Sequence, residues 1–283
     1  MDLARSGTHR CQVLSIFVSR QLAERGDSTW VARGRSTGLY VPTSSWPPRL
    51  WVQPGTASFP TMCGRVVSSL PRDFLAEHFN AEAVAGPELP PSYNAAPGAM
   101  LHVLAEGRAG RRVGAMRWGL VPPWADSPER GRRPINARAE TLLTKRVFAD
   151  AMQSGHRCLV PVSGFFEFKS SPEGKQPYLL TAPDGFPLAM AGLWSRWSLT
   201  RGEPVVTFAI ITTSANEDVA PLHDRMPALL RREDWGSWLD RRGRDLERLR
   251  PLLEPAPTGS LVPRAVSRRV NDAHNDDPAL LFA

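Results

Sequence analysis

The cysteine at position 63 offers the most unusual chemistry in this chain, because it directly follows Met62. If translation begins at Met62 and that methionine is removed, Cys63 carries a free α-amine beside its thiol. An α-amine, with a reference pKa of about 7.7–8.0, condenses with aldehydes, and a thiolate, with a free pKa of about 8.5, is the stronger nucleophile. Held two carbons apart, the two groups can close a five-membered thiazolidine ring on one carbonyl carbon. The alternative is that Cys63 is a small buried hydrophobic residue in a first strand, which is the commoner role of a cysteine.

Two further stretches carry groups that could transfer protons. Glu167 stands among three phenylalanines in segment 164–168, so it either points outward from a half-buried strand or points inward with a partner or a raised pKa. A raised pKa would suit a general acid or base near neutral pH. His223 lies beside Asp224 and Arg225. A lone histidine is more often structural than catalytic, but charged neighbours make this one a candidate proton donor.

The middle of the chain offers side chains that could contact a nucleic acid. Asn136 and Arg138 lie where a strand or loop gives way to a helix, and such residues are ordinarily a turn residue and a solvated charge. Beside a helix N-terminus they could equally orient an amine and hold a phosphate. Trp118 and Trp124 bracket a rigid proline pair. They are either core residues or, in a basic protein, surfaces for unstacked bases.

Composition narrows the class of protein. The chain has 283 residues, a formal charge of +7 and 42% hydrophobic content, which predicts a globular protein with a polyanionic partner. Nearly all the positive charge is arginine, which suits phosphate, although a GC-rich genome produces the same bias. The three cysteines, Cys11, Cys63 and Cys158, form no CxxC pair. We therefore expect no disulfide framework, no metal site and no cofactor, and a reducing cytoplasm fits best.

Residues 1–61 differ from the rest because they show no sustained helical or strand period. We expect little stable structure there and predict a folded domain over residues 62–283. The simplest hypothesis is that an upstream start codon has been chosen in error. The rival hypothesis is a pro-segment that is cut off before Cys63. The apolar run 13–18 is too short to cross a membrane and lacks a signal-peptide cleavage site.

From Met62 onward the sequence shows closely spaced strand and helix patterns, and these elements must position the candidate residues. Apolar and β-branched runs with short connections favour a largely antiparallel or mixed sheet curled around a core, with short flanking helices, in an α+β fold. Ser69 is a plausible cap for the first helix. The pattern predicts strands over 63–68, 100–105, 113–120, 178–181, 188–197, 205–213 and 261–270, and helices over 74–79, 142–152, 233–239 and 245–253.

Six motifs, in this order, closely resemble the SRAP (SOS response-associated peptidase) family of abasic site processing proteins. The resemblance covers residues 62 to about 280. It implies one α+β domain with a curved, barrel-like sheet and a basic cleft for single-stranded DNA. The motifs are Met-Cys-Gly-Arg (62–65), Tyr-Asn-Ala-Ala-Pro (93–97), Arg-Trp-Gly-Leu-Val-Pro (117–122), Asn-Ala-Arg-Ala-Glu-Thr (136–141), Arg-Cys-Leu-Val-Pro with Phe-Phe-Glu-Phe (157–168), and His-Asp-Arg-Met-Pro (223–227).

The resemblance also implies roles for individual residues. Cys63 matches the nucleophile that forms a thiazolidine with the ring-opened sugar of an abasic site, and Asn136 matches the residue that positions its amine. Glu167 matches the acid/base, and His223 matches the group that protonates the sugar ring oxygen. The loop 125–133 departs from the family because it lacks aromatic wedge residues, and Trp124 is the expected substitute. Contacts to the DNA are expected from Arg65, Asn94, Trp118, Trp124, Arg138 and Arg225.

Three functions remain open at this point. The favoured one is a DNA-repair protein that crosslinks covalently to abasic sites in single-stranded DNA and has lyase activity through the same imine. This reading implies a monomer in the cytoplasm, associated with the nucleoid and without a membrane partner. The second is a cysteine peptidase with Cys63 as nucleophile, which could remove its own leading segment. The third is a domain that binds nucleic acid without a covalent bond and whose cysteine is structural.

Overall fold

The structure, a computed structural model, describes residues 63–172, 174–198, 204–243 and 245–283. The predicted extension over residues 1–61 lies outside these ranges. Within them the strands are β1 (Val66–Ser68), β2 (Ala83–Val84), β3 (Ser92–Ala95), β4 (Met100–Gly107), β5 (Gly110–Trp118), β6 (Asn136–Arg138), β7 (Arg157–Val162), β8 (Gly164–Ser171), β9 (Gly174–Thr181), β10 (Leu188–Trp197), β11 (Val205–Ser214), β12 (Arg225–Pro227) and β13 (Val262–Ala265). The α-helices are α1 (Arg72–His78), α2 (Arg146–Gln153), α3 (Trp235–Leu239) and α4 (Leu246–Leu249), and 3₁₀ turns cover Ala139–Thr141, Arg232–Asp234, Arg250–Leu253, Arg268–Asn271 and Pro278–Leu281.

Five strands close into a barrel at the centre of the fold. β11, β10, β7, β4 and β5 are antiparallel neighbours in that order. β5 then returns to β11 and pairs with it in parallel, with Phe208 opposite Trp118. This parallel pair closes the sheet on itself. The predicted α+β fold with a curved, barrel-like mixed sheet is therefore confirmed.

The barrel strands present alternate residues to two different cores, as the period of two along a strand requires. Leu101 and Val103 of β4 belong to a cluster drawn from all five barrel strands, which fills the inside of the barrel. Leu104, the residue after Val103, belongs to a second cluster together with Phe148 of α2 and Trp238 of α3. The helices thus cover the outer face of the barrel. Cys63 belongs to the inner cluster.

A second sheet, antiparallel throughout, has the strand order β13-β9-β8-β1-β3. In it Val66 of β1 lies opposite Phe165 of β8, and Val67 lies opposite Gly164. Extending this register back from β1 places Gly64 opposite Glu167, so Cys63 lies one residue before the position that faces Glu167. Glu167 is therefore carried by β8, and Cys63 by the segment that leads into the adjacent strand β1.

Several predicted boundaries were wrong at the ends of elements. The first strand begins at Val66 rather than at residue 63, because the backbone of Cys63 is left-handed, with φ 40°. Ser69 does not cap α1. Pro71 holds the cap position without a side-chain bond, and the hydroxyl of Ser69 lies 3.2 Å from that of Ser163.

Two longer predicted elements are shorter than expected, because a 3₁₀ turn takes up part of each predicted range or its approach. The helix expected over 142–152 begins only at Arg146, after the 3₁₀ turn at Ala139–Thr141. The final strand ends at Ala265 instead of residue 270, since a 3₁₀ turn follows, in which the hydroxyl of Ser267 accepts a bond from the Arg269 N–H. Within the described ranges, no helix has both the length and the apolar character that a membrane crossing needs.

Candidate active site

The backbone nitrogen of Cys63 meets the carboxyl group of Glu167. It donates a hydrogen bond of 2.8 Å to Glu167 Oε1. Both residues are buried, Cys63 at 0% and Glu167 at 2% exposure. Of the two orientations that the strand pattern left open for Glu167, the inward one is therefore correct. The carboxyl group therefore lies within hydrogen-bond distance of the Cys63 backbone nitrogen, which becomes a free α-amine in a chain that begins at Cys63.

Burial controls the ionisation of this pair. Loss of solvent raises the pKa of Glu167 to about 8, and the negative charge of Asp224 adds to the rise, while hydrogen bonds from the Cys63 and Phe168 backbones oppose it. The pKa of the Cys63 thiol is raised well above its ordinary value, mainly by burial and further by the charge of Glu167. A carboxyl group with a pKa near 8 can both give and take a proton around neutral pH.

The backbone of Cys63 is bent into an unusual conformation. Its φ of 40° lies in the left-handed region, where residues other than glycine are uncommon. Such a conformation stores strain of about 1–3 kcal/mol and persists only when surrounding contacts impose it. The bond to Glu167 is one such contact. Because φ exists only when a residue precedes Cys63, a chain that begins at Cys63 would not carry this strain.

His223 lies in the turn before β12 and is half-buried. Its Nδ1 is 2.7 Å from Asp224 Oδ1 and 3.1 Å from the backbone nitrogen of Arg225. Nδ1 can donate to the carboxylate or accept from the backbone N–H, but not both at once, so a hydrogen on Nδ1 selects the carboxylate. Asp224 also acts on the pKa of Glu167, which places this turn close to the buried carboxyl group.

Strand β11 brings the remaining predicted residues together. It pairs in parallel with β6, with Ile210 opposite Asn136 and Thr212 opposite Arg138. On its other side it pairs with β12, where Arg225 lies opposite Ser214. Asn136 is half-buried and Arg138 is exposed. One strand therefore aligns an amide and two guanidinium groups along one end of the barrel.

Glu140 holds Arg225 in place, a role for which the sequence carries no specific signal. The Arg225 guanidinium donates to both carboxylate oxygens of Glu140, with the Nη2–Oε2 bond at 2.8 Å, and Nη2 also donates to the Thr212 carbonyl at 2.8 Å. The hydrogen bond from Arg225 lowers the pKa of Glu140. The geometry is that of a bidentate arginine–carboxylate pair, which fixes the direction of the guanidinium.

The two tryptophans of the 118–124 segment have different environments. Trp118 is 1% exposed, so of the two environments that the sequence left open for it, this structure shows the core one. Its ring lies parallel to that of Phe208 at 6.4 Å, and its Nε1 donates to the Ile135 carbonyl at 3.0 Å. Trp124 is 39% exposed, and the guanidinium of Arg146 lies 4.5 Å from its ring centre. Trp124 is therefore the one of the two that can reach a ligand.

Asn94 and Arg65 serve the fold. Asn94 is 2% exposed, which does not favour the predicted DNA contact from this residue. Its amide nitrogen donates to the carbonyls of Val270, Asp272 and Asn275, and its Oδ1 accepts from Arg65 at 2.9 Å. Arg65 also donates to the Val270 carbonyl at 2.9 Å. The pair fastens the C-terminal segment to the strand that follows Cys63, and the predicted phosphate contact of Arg65 would compete with these bonds.

The other cysteine of the described ranges, Cys158, is buried, unpaired and lined by apolar side chains of the barrel interior. Burial raises its pKa above the usual range, so it is inert as a nucleophile at neutral pH. Cys11 lies outside the described residues. Among those residues, no three histidine, cysteine, aspartate or glutamate side chains gather in a way that could hold a metal ion.

Comparisons with known proteins give one consistent family. A family model described as SOS response associated peptidase (SRAP) matches residues 62–273. The chain is 36% identical over 222 residues to the abasic site processing protein YoqW of Bacillus subtilis, covering 78% of this chain and 99% of that protein. It is 33% identical over 261 residues to the abasic site processing protein HMCES of Gallus gallus, covering 78% of this chain and 77% of that protein.

Solved structures agree with the fold. A crystal structure of a protein from Bacteroides thetaiotaomicron superposes with a TM-score of 0.68 at 26% identity, covering 78% of this chain and 100% of that chain. A second, from Bordetella bronchiseptica, has a TM-score of 0.61 at 25% identity and covers 72% of this chain and 100% of that chain.

Proposed function

This chain belongs to the SRAP family, and we propose that it processes abasic sites in single-stranded DNA by bonding to them covalently through Cys63. The observation that carries the proposal is the 2.8 Å hydrogen bond between the Cys63 nitrogen and the buried Glu167 carboxyl group. Its relatives are named abasic site processing proteins, and an abasic sugar in its open form presents the aldehyde that an amine and a thiol can capture together.

The proposal requires that the Cys63 nitrogen be a free amine, since a nitrogen already bonded to an acyl group cannot form an imine. Residues 1–62 must then be missing from the working protein, either because synthesis starts at Met62 or because the segment is removed. The left-handed backbone at Cys63 supports this requirement, because the strain disappears when no residue precedes it.

The chemistry then proceeds in two bond-forming steps. The amine nitrogen adds to the aldehyde carbon, and loss of the oxygen as water gives an imine. The thiol then adds across the carbon–nitrogen double bond, its sulfur bonding to carbon and its proton passing to nitrogen. The product weighs the sum of protein and DNA less one water. Because both nucleophiles belong to one residue, the second step is intramolecular and has a high effective concentration.

Glu167 is placed to move the protons of these steps. It takes a proton from the Cys63 ammonium, which frees the nitrogen lone pair, and it returns a proton to the oxygen that leaves as water. Burial raises its pKa to about 8 while the Cys63 nitrogen is an amide, and an ammonium in that place favours the carboxylate that accepts the proton. His223, with Asp224 at its Nδ1, is the candidate donor to the sugar ring oxygen, which must be protonated for the ring to open.

The single-stranded DNA would be bound by the groups around this end of the barrel. Arg138 is exposed, two residues after Asn136. The Arg225 side chain is only 12% exposed and is held by Glu140 at the adjoining edge, so a phosphate contact from it requires an exchange of partners. Phosphate contacts from such arginines are screened by salt, so affinity should fall as ionic strength rises. Trp124, partly exposed and stacked on Arg146, offers an aromatic face for an unstacked base.

Two other activities of the same site follow from its chemistry. Before the sulfur adds, the imine would allow the lyase reaction, in which loss of a proton from the next sugar carbon expels the 3′ phosphate and breaks the strand. The cysteine peptidase alternative is less well supported. Such an enzyme needs a thiolate, whereas burial raises the pKa of the Cys63 thiol.

One experiment tests the proposal against its alternatives. Protein beginning at Cys63 is mixed with single-stranded DNA that contains one abasic site, then denatured and separated on a gel. We expect a heat-stable shifted band with the mass given above, lost with C63A and absent on intact DNA. A protein that binds the strand without any covalent product would contradict the proposal and favour the non-covalent alternative.

A further inference from the structure

We propose that two buried tryptophans, Trp118 and Trp197, position the two halves of the site through hydrogen bonds from their indole N–H groups. Trp118 fixes the strand that carries Asn136, and Trp197 fixes the loop that carries Trp124. The inference rests on the proposed function. It turns one residue that the sequence suggested as a base-stacking surface into a support for the chemistry, and it assigns a role to a tryptophan that the sequence did not single out.

Trp118 is held in place by backbone hydrogen bonds and ring packing that do not involve β6. Its backbone nitrogen donates to the Ala99 carbonyl at 2.9 Å, and its carbonyl accepts from the Gly98 nitrogen at 2.8 Å. Its ring is buried and packs parallel to Phe208, with an interplanar angle of 7°. A donor on such a ring has a fixed position. The bond from Nε1 to the Ile135 carbonyl, at 3.0 Å, therefore fixes its acceptor as well.

That acceptor belongs to the peptide group that leads into Asn136. The carbonyl of Ile135 and the nitrogen of Asn136 lie in one plane, because the peptide bond does not rotate freely. The same carbonyl also accepts from the Ile210 nitrogen at 2.9 Å. Two donors on one oxygen set the tilt of this plane, and the tilt sets the direction in which the Asn136 side chain leaves the strand. Trp118 thereby controls the orientation of Asn136 without touching the reacting atoms.

Trp197 does the same for the neighbouring loop. It is the last residue of β10, is 5% exposed, and its Nε1 donates to the Ala125 carbonyl at 2.7 Å. Ala125 closes a turn by donating from its nitrogen to the Pro122 carbonyl at 3.1 Å, and Trp124 lies inside that turn. The start of the loop is tied down separately, since the Val121 nitrogen donates to the Thr207 hydroxyl at 2.9 Å.

Trp238 provides an internal control with the same chemistry in a different place. It is fully buried, and its Nε1 donates to the Cys158 carbonyl at 2.9 Å. It belongs to the outer core, between the barrel and the helices, and its N–H bond goes to β7 instead of to β6 or the Trp124 loop. Replacing any of the three tryptophans by phenylalanine keeps an aromatic ring and removes one buried N–H donor to a strand or turn carbonyl.

The test compares W118F, W197F and W238F in the protein beginning at Cys63, the form that the proposed function requires. The substrate is single-stranded DNA with one abasic site. Two quantities are measured: the equilibrium affinity, under conditions that prevent crosslinking, and the rate of crosslinking when DNA is saturating. Thermal unfolding of each variant shows how much general stability each bond contributes. Loss of stability alone would affect all three variants in the same way.

We expect W118F to slow crosslinking at saturation about tenfold with little change in affinity, because the loss of one well-placed hydrogen bond disturbs only the geometry of reaction. W197F should weaken affinity about fivefold and leave the saturated rate unchanged. W238F should change neither the affinity nor the saturated rate, even if its unfolding temperature falls as much as those of W118F and W197F. If W118F and W197F match W238F in both quantities, the inference is wrong.

Two further outcomes are also decisive. If W118F does not fold, benzothienylalanine at position 118 keeps the size and shape of the indole and replaces only the N–H group by sulfur. It should then reproduce the slow rate, and a normal rate would overturn the role of Trp118. If the parent protein itself gives no crosslink, both the proposed function and this inference are wrong. If the parent protein forms the crosslink and the variants behave like it, only the inference is wrong.

Discussion

The raised pKa of Glu167 predicts a specific loss of stability with rising pH. The perturbation is E167Q in a chain that keeps a residue before Cys63, as in the structure, so that the nitrogen facing the carboxyl group is an uncharged amide. Burial disfavours the ionised carboxylate in the folded state, while the unfolded chain ionises at its ordinary value near 4.5. The folded protein therefore has its full stability below about pH 4.5 and loses it as the pH rises toward about 8.

The magnitude follows from the same two values. Between the unfolded and folded pKa values of Glu167, each pH unit lowers the free energy of unfolding by about 1.36 kcal/mol. That free energy should therefore fall by about 2–3 kcal/mol between pH 5 and pH 7. Glutamine cannot ionise, so the variant should lack this slope. It should start slightly less stable, because its amide nitrogen cannot accept a hydrogen bond, by about 1–2 kcal/mol. The two curves should then cross, and the variant should be the more stable protein near pH 7.5.

Urea denaturation of both proteins between pH 5 and pH 8 measures this directly. The difference between the two free energies of unfolding cancels the titration of every other group. E77Q, at an exposed position on α1, controls for the chemical change itself. A difference between parent and E167Q that stays constant across this pH range would show that Glu167 ionises normally. Its assignment as a buried acid/base near neutrality would then have to be abandoned.

In protein beginning at Cys63, E167Q should slow both formation and reversal of the crosslink by about a hundredfold, the usual contribution of a general acid/base, and equal rates in variant and parent would contradict the role. H223A should slow crosslinking to an abasic sugar, which must open its ring, while leaving DNA affinity unchanged; a loss of affinity at an unchanged rate would reassign His223 to binding. R138A should weaken binding to single-stranded DNA and lower the slope of log affinity against log salt by about 0.7, the value for one phosphate contact. A salt slope equal to that of the parent would remove Arg138 from the DNA interface.

The order of motifs along the chain was enough to predict the family and the type of fold. Cys63 directly after Met62, the acidic residue at 167 among phenylalanines, and the charged run from His223 are properties of residue type and spacing, which a sequence displays in full. The α+β class and the curved sheet also followed, because β-branched and apolar runs with short connections leave few other arrangements. Element ends were less accurate, as with Ser69, since a neighbouring proline decided the cap.

What the sequence could not decide is which way individual side chains face. Glu167 and Trp118 each had two acceptable environments, and a strand pattern is unchanged when its two faces are exchanged. Contacts between residues far apart in the chain made the choice. The Cys63 nitrogen draws Glu167 inward across 104 positions, the parallel pair of β5 and β11 encloses Trp118, and the C-terminal carbonyls surround Asn94. Residue types therefore determined what chemistry is present, and only the pairing of strands in the two sheets determined which of those groups meet.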